Sequence, residues 1–235
     1  MKGKFLGFTI EYENKEEFRV ISHEIVKERS YDLPVEDADL IVDIGAHIGL
    51  SIIYFHTRYP NSRIIGFEPN PKLFTILSSN IRNAELPNVD LYQVAVGTEN
   101  ARAQLFIDHT KNNWQSNGSL LSGGWNGTLM GGSIDVETVR LEDRFGDEII
   151  DILKLDAEGY EWQIIRSLGS RIGKVRSIAM EFHGQGKNRL KKIVNYLSDH
   201  YRTVVIEQNA SISSISTVDP TKLLMIKGFD LKKPQ

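Results

Sequence analysis

Acidic and imidazole side chains recur in this chain where an apolar run gives way to glycine or proline. Asp43 ends LIVD and is followed by Gly45, Ala46, His47 and Gly49. Glu68 ends RIIGFE and is followed by Pro69 and Asn70. Asp156 ends DILKLD and is followed by Glu158 and Gly159, and Glu181 and His183 close SIAMEFH before Gly184. Carboxylates and imidazoles can take up or deliver protons, hold a cation, or accept hydrogen bonds from hydroxyls. Apolar runs of this length read as strands buried on both faces, and in open α/β sheets ligands gather outside the carboxyl ends of such strands. The first two clusters describe a site for an adenosine. Gly45 permits a tight turn, the helix that follows offers free N–H groups, and Glu68 stands where an acid can accept from both ribose hydroxyls.

Two adenosine cofactors fit that outline. A dinucleotide pyrophosphate needs glycine at the second and third positions of G-x-G-x-x-G. Counted from Gly45, those positions hold His47 and Leu50, and the charge of Asp43 is unfavourable beside a pyrophosphate. It suits the ammonium of a methionine moiety, so S-adenosyl-L-methionine is the expected cofactor. The base candidates are Asp156, His183, Glu158 and Glu181, with Asp156 and His183 ranked first for their strand-end places; Asp156 also borders the expected cofactor site. Asp156 and Glu181 could instead hold a divalent metal, but no ligand spacing in the sequence calls for one, and no metal is expected. Lys154 reads equally as a buried strand residue paired with a carboxylate, and His47 as a cap on its own loop. His23, His56, His109 and His200 have no patterned partner.

The surrounding elements alternate. Strands are expected at 40–45, 63–69, 89–97, 151–156, 177–182, 201–207 and 222–228, and helices at 48–59, 71–83, 160–168 and 188–197. Alternation at this spacing indicates βαβ units and a mostly parallel sheet with right-handed crossovers. The last two strands lack a helix between them and can pair antiparallel. Segments 104–108 and 134–141 read as further strands, separated by a Gly/Asn/Ser-rich stretch with Trp114 and Trp125. Residues 108–132 are expected to be a mobile loop that closes on a partner or substrate. Residues 4–12 suggest a strand or hairpin, and Asn14 caps a helix over 15–29. The organisation expected is therefore an N-terminal cap, 1–37, on a larger domain, 38–235.

These stretches resemble the FkbM-type methyltransferases. The resemblance rests on VDIGAHIGLS (42–51), GFEPNP (66–71), AVG (95–97), VRLED (139–143), IDILKLDAEGYE (150–161) and SIAMEFHG (177–184), and covers roughly residues 38–230. Members often carry Asn where His47 stands and a small residue where Tyr160 stands. The resemblance implies a class I methyltransferase fold: a Rossmann-like, mostly parallel seven-stranded α/β sheet with helices on both faces and the last strand antiparallel. It also implies methyl transfer, most often to a hydroxyl of a sugar or natural product. By position, Asp43, Gly45 and Gly49 would shape the methionine end, Glu68 the ribose, and Ala95 and Val96 the adenine surroundings.

Composition narrows the alternatives. The 235 residues include no cysteine, which excludes disulfides, thiolate metal sites and cysteine nucleophiles. It also fits a reducing compartment, and with neither a signal peptide nor a 20-residue apolar span in view the expected location is the cytoplasm, away from membranes. The net charge is −3, from 28 basic and 31 acidic residues, which argues against a nucleic-acid partner. The place after the fourth strand reads DAEG rather than the Pro-Pro-aromatic motif of amino-methylating nucleic-acid enzymes. The partner expected is a small hydroxylated acceptor; oligomeric state has no signature. The rival readings are a methyltransferase of nucleic acid or protein, and a non-catalytic cofactor-binding module.

Overall fold

The structure is a computed structural model that describes residues 1–107, 118–122 and 131–232. An N-terminal hairpin, β1 (Lys2–Phe5) and β2 (Phe8–Glu11), leads into helix α1 (Lys15–Val26). Asn14 caps that helix, its side chain accepting from the N–H groups of Glu16 at 2.9 Å and Glu17 at 3.0 Å. The chain then enters strand β3 (Leu40–Ile44), helix α2 (Leu50–Arg58), strand β4 (Arg63–Phe67), helix α3 (Pro71–Asn83) and strand β5 (Val89–Tyr92). Proline at the first position of α3 loses nothing, because its missing N–H would have no partner there.

Three strands follow, β6 (Ala95–Gly97), β7 (Ala101–Phe106) and β8 (Ser133–Arg140), then the short helix α4 (Glu142–Phe145). Strand β9 (Ile150–Leu155), helix α5 (Glu161–Ser167) and a 3₁₀ segment (Gly169–Lys174) lead to strand β10 (Val175–His183). Helix α6 (Lys187–His200) and strands β11 (Tyr201–Gln208), β12 (Ser211–Ser213) and β13 (Leu223–Leu231) complete the chain.

The main sheet runs in the order β12-β11-β13-β10-β9-β3-β4-β5. Strand β13 pairs antiparallel with both β10 and β11, and the pairs joining β5, β4, β3, β9 and β10 are parallel. The expected seven strands are all present, with the last one antiparallel, and the three-residue β12 adds an eighth at the edge. One apolar layer, containing Ile41, Ile52, Leu77 and Ile25, packs α1, α2 and α3 on one face. The other, with Val42, Leu153, Ile164 and Leu197, packs α5 and α6 on the opposite face. Each such side chain, taken fully out of water, contributes ~1.5–3 kcal/mol.

The N-terminal residues share that first layer: Phe5, Ile10, Tyr12, Tyr31 and Leu33 belong to the same core as Ile41 and Phe55. Asn80 of α3, fully buried, fastens the hairpin. It accepts from the Glu11 N–H at 2.7 Å and donates to the carbonyls of Glu11 at 3.0 Å and Ile48 at 2.9 Å.

The expected strand 89–97 is broken in two. Residues 89–92 pair with β4, whereas Ala95–Gly97 leave the sheet and pair with Thr138–Arg140 of β8. Strand β4 ends at Phe67, and Glu68 makes the last bond, its N–H donating to the Tyr92 carbonyl at 3.1 Å. Pro69 follows with no N–H to extend the ladder, so residues beyond 92 join β7 and β8 in a separate three-stranded sheet. Trp114 and Trp125, and with them most of the expected loop 108–132, lie outside the described residues, as does His109. The described piece 118–122 bridges to Phe106 through Ser119.

Candidate active site

Strand order reverses between β3 and β9, which lie side by side although β4, β5 and the whole three-stranded sheet separate them in sequence. Their carboxyl ends approach very closely. A Cβ on Gly45 would lie 2.1 Å from the Asp156 carbonyl oxygen, and Gly45 has φ +78°, so only glycine fits. Gly49, with φ +94°, lets two helices close together, since a Cβ there would meet Leu77 of α3 at 2.8 Å.

Two clefts open at this junction. The first, about 650 Å³ including its mouth, is lined by Gly45, His47, Glu68, Pro69, Asn70, Asp156 and Glu158, with apolar walls from Phe67, Leu73, Val94, Ala95, Val96, Leu105, Leu120 and Tyr160. The second, about 820 Å³, is lined by Gly45, Ala46, His47, Lys154, Asp156, Glu158, Glu181 and His183, and closed by Val20, Ile21, Glu24 and Ile25 of α1 together with Tyr31. Gly45, His47, Asp156 and Glu158 line both clefts and so form their common wall. His47 and Glu158 hold left-handed backbones there, φ +49° and +48°, a conformation that costs free energy and tends to be kept at functional sites.

Glu68 is fixed as a hydrogen-bond acceptor. One carboxylate oxygen accepts the His47 N–H at 2.9 Å and the other the Asn70 N–H at 2.9 Å. Two lone-pair positions remain for hydroxyl groups. Burial raises the Glu68 pKa, with the Asn70 N–H and His47 working against that rise. Asn70 in turn caps α3, accepting from the Lys72 N–H at 3.0 Å.

Asp43 lines neither cleft. It is fully buried, accepts from the Ser51 hydroxyl at 2.5 Å and forms an ion pair with the Lys154 ammonium at 3.2 Å. Asp43 and Lys154 are direct partners in the β3–β9 ladder. Lys154, also buried, donates to the carbonyls of Ile44 at 3.2 Å and Gly45 at 2.5 Å, lies 3.4 Å from an Asp156 oxygen, and faces the Tyr31 ring at 5.6 Å. Burial opposes its charge, but Asp43 and the other anionic partners hold its pKa well above the usual lysine value. One ammonium thus ties together the first glycine loop, the end of β9 and the N-terminal segment.

His183 is the centre of a second group. Its Nδ1 lies 2.8 Å from Glu161, and its Nε2 lies 3.4 Å from Glu158 and 3.8 Å from Asp156. Glu161 is itself buried and accepts the N–H groups of Ala157 at 3.2 Å and Gly159 at 2.8 Å. Burial works against the imidazolium, yet Glu158 and Glu161 hold the His183 pKa well above its ordinary value. Burial, opposed by His183 and reinforced by Asp156 and Glu161, pushes Glu158 up to about 8. Burial likewise raises Glu181, with Asp156 adding to it. On α1, burial and Glu28 push Glu24 up to about 7.

The structure therefore gathers most of the expected residues at one place, but in different relationships, and Asp43 and Gly49 line neither cleft. Glu68, Pro69, Asn70, Ala95 and Val96 surround the first cleft; Ala46, Glu181 and His183 border the second. His47 is no backbone cap on its side-chain side: its Nε2 lies 3.4 Å from Glu17 of α1. Glu161, Glu24 and Tyr31 escape sequence reading. Glu161 sits in the first turn of α5, where acidic residues are ordinary, and only burial marks it as different.

A sheet of this order, with one antiparallel strand between two parallel neighbours and ligand clefts at the β3–β9 reversal, defines the class I methyltransferase architecture. A solved structure described as a predicted O-methyltransferase from Agrobacterium tumefaciens shares the fold, with TM-score 0.50, 12% identity, and coverage of 88% of this chain and 79% of that one. The family model "Methyltransferase FkbM domain" matches residues 43–205. The chain belongs to the FkbM methyltransferase family. It is similar to Methyltransferase 1 of Beauveria bassiana, 30% identical over 176 residues, covering 66% of this chain and 68% of that protein. It is also similar to the 31-O-demethyl-FK506 methyltransferase FkbM of Streptomyces tacrolimicus, 25% identical over 241 residues, covering 86% and 88%. Among the described residues no helix is long and apolar enough to cross a membrane.

Proposed function

We propose that this protein transfers a methyl group from S-adenosyl-L-methionine to a hydroxyl of a small acceptor. The observation that carries the reading is the pair of clefts meeting at Gly45, His47, Asp156 and Glu158. One cleft has the features of a nucleoside site and the other is lined by proton-accepting groups. The first fits the cofactor by its chemistry: a fixed carboxylate at Glu68 for two ribose hydroxyls, and apolar walls from Val94, Val96 and Leu105 for a base. When bound, S-adenosyl-L-methionine supplies a methyl group already activated on a sulfonium.

The residues of this chain then divide the work in three. Lys154 and Asp43 hold the β3–β9 junction, which fixes the distance between the clefts. Positioning of two reactants in this way can lower a barrier by ~7–11 kcal/mol. One carboxylate of the common wall, Asp156 or Glu158, accepts the hydroxyl proton, a function that contributes ~10²–10⁴-fold when the base is tuned near the working pH. His183 is suited to positioning, its ring held through Nδ1 2.8 Å from the buried Glu161. Helix α1 and Tyr31 close the acceptor cleft, so the N-terminal segment selects the acceptor.

Oxygen as the methylated atom is supported by the 31-O-demethyl substrate in the name of the Streptomyces relative. The test is incubation with methyl-deuterated cofactor and a panel of sugars, hydroxylated natural products and amines, read by mass spectrometry. Transfer to a hydroxyl, lowered ~10²-fold or more in Glu158→Gln, agrees with the proposal. Transfer confined to amines, or unchanged turnover in both Glu158→Gln and Asp156→Asn, contradicts it.

A further inference from the structure

We propose that Asp156, Glu158 and His183 bind a hard divalent cation of the Mg²⁺ or Mn²⁺ class at the floor of the second cleft. The three side chains each offer one ligand atom, and these atoms all lie within 4.8 Å of one another. Nε2 of His183 is 3.4 Å from Glu158 and 3.8 Å from Asp156. In an octahedral ion with bonds of ~2.1 Å, adjacent ligands stand ~3 Å apart and opposite ones ~4.2 Å apart. The observed separations fall within or just beyond that span, so small side-chain movements suffice.

The surroundings have the form of a metal centre and its support. Glu161 fixes the His183 ring through Nδ1 at 2.8 Å and is itself held by the Ala157 and Gly159 N–H groups. A buried carboxylate behind the far nitrogen is the usual way a ligating imidazole is oriented. Asp156 divides its oxygens, one toward Lys154 at 3.4 Å and the other toward His183, so the second is available to an ion. Glu181 borders the same cleft and has no hydrogen bond or ion pair among the described residues, which leaves an additional acidic group facing the site. The nearby ammonium, Lys154, is engaged by Asp43 and the Gly45 carbonyl and cannot serve as counter-charge for the whole group. The two carboxylates and the absence of a thiolate suit Mn²⁺ and Mg²⁺, and the imidazole favours Mn²⁺ of the two. Three protein ligands leave about three positions of an octahedral ion for water or acceptor oxygens.

The inference rests on reading the second cleft as the acceptor site, and its test separates the two. The full chain is stripped with EDTA and titrated with Mn²⁺, free Mn²⁺ being followed by electron paramagnetic resonance; cofactor binding is measured on the same samples by calorimetry. One Mn²⁺ per chain is expected, displaced by Mg²⁺, with affinity ~10–100-fold weaker in Glu161→Gln and at least as much weaker in Glu158→Gln. Glu158 is partly exposed, so that variant keeps the fold in question even where His183→Ala does not. No Mn²⁺ binding at millimolar concentration, with cofactor binding intact, overturns the metal site and leaves the methyltransferase reading standing. Mn²⁺ binding that is equally tight in Glu158→Gln and Glu161→Gln places the ion elsewhere and also overturns it. Mn²⁺ binding without cofactor binding supports the metal site and removes the methyltransferase reading.

Discussion

Replacing Lys154 by methionine tests whether one buried ammonium organises the site. Methionine keeps most of the side-chain length but removes the charge and the donors. Asp43, fully buried, is then left with the Ser51 hydroxyl as its partner on one oxygen and, among the described residues, no hydrogen-bond partner or cation on the other. Breaking a buried ion pair from one side costs ~3–5 kcal/mol, because a charge remains in a low-dielectric interior. At ~2–4 °C per kcal/mol for a domain of this size, Lys154→Met should melt ~6–20 °C lower. The Ile44 and Gly45 carbonyls lose their donor as well, so the glycine loop loosens and cofactor affinity falls with stability. Asp43→Asn in the same chain removes the stranded charge. The double variant should recover part of the loss, with a favourable coupling of ~0.5–3 kcal/mol. Guanidinium denaturation of the four proteins at pH 7 measures each quantity. A loss under ~0.5 kcal/mol for Lys154→Met, the size of an ordinary surface change, would refute the reasoning. So would a double variant that is additive within ~0.5 kcal/mol.

Two further outcomes follow from the same geometry. The Glu24 carboxyl keeps its proton up to about 7 in the folded protein, against 4.5 as its ordinary value. The folded state therefore binds more protons between those limits, and stability falls as pH rises through them and levels off above. Glu24→Gln should flatten this fall and, allowing for solvent screening, add ~1–2 kcal/mol above pH 7; melting curves from pH 4 to 8 that track wild type throughout count against it. Gly45→Ala should lose ~2 kcal/mol or more, combining the cost of φ +78° for an L residue with a Cβ 2.1 Å from the Asp156 carbonyl. A variant that melts within a degree of wild type and binds cofactor normally is incompatible with that contact.

Much of this architecture is legible in the sequence because burial on both faces leaves continuous apolar runs such as LIVDI and DILKL, and because glycine and proline mark their ends. The strand-end acids are readable for the same reason: Glu68 and Asp156 interrupt an apolar pattern at a predictable place. What fails is anything decided by register or by distant pairing. Asp43 and Lys154 are 111 positions apart and meet only because β3 and β9 align them. Sequence alone therefore points Asp43 at a ligand, whereas the structure points it at Lys154. The break after Tyr92 depends on where β4 stops, and the alternation of residues 89–97 carries no trace of it. The second cleft is the least legible part, because Glu24, Ile25 and Tyr31 come from an N-terminal segment whose packing on the sheet follows from no motif.

The central claim is that the Glu68 cleft holds S-adenosyl-L-methionine, and calorimetric titration of the full chain with this cofactor tests it most directly. Wild type should bind one molecule per chain. Glu68→Ala, which removes two charge-assisted bonds to ribose hydroxyls at ~1.5–3 kcal/mol each, should bind ~10²–10⁴-fold more weakly while circular dichroism shows the fold retained. Absence of binding by the folded wild type, or equal affinity in Glu68→Ala, would contradict the account.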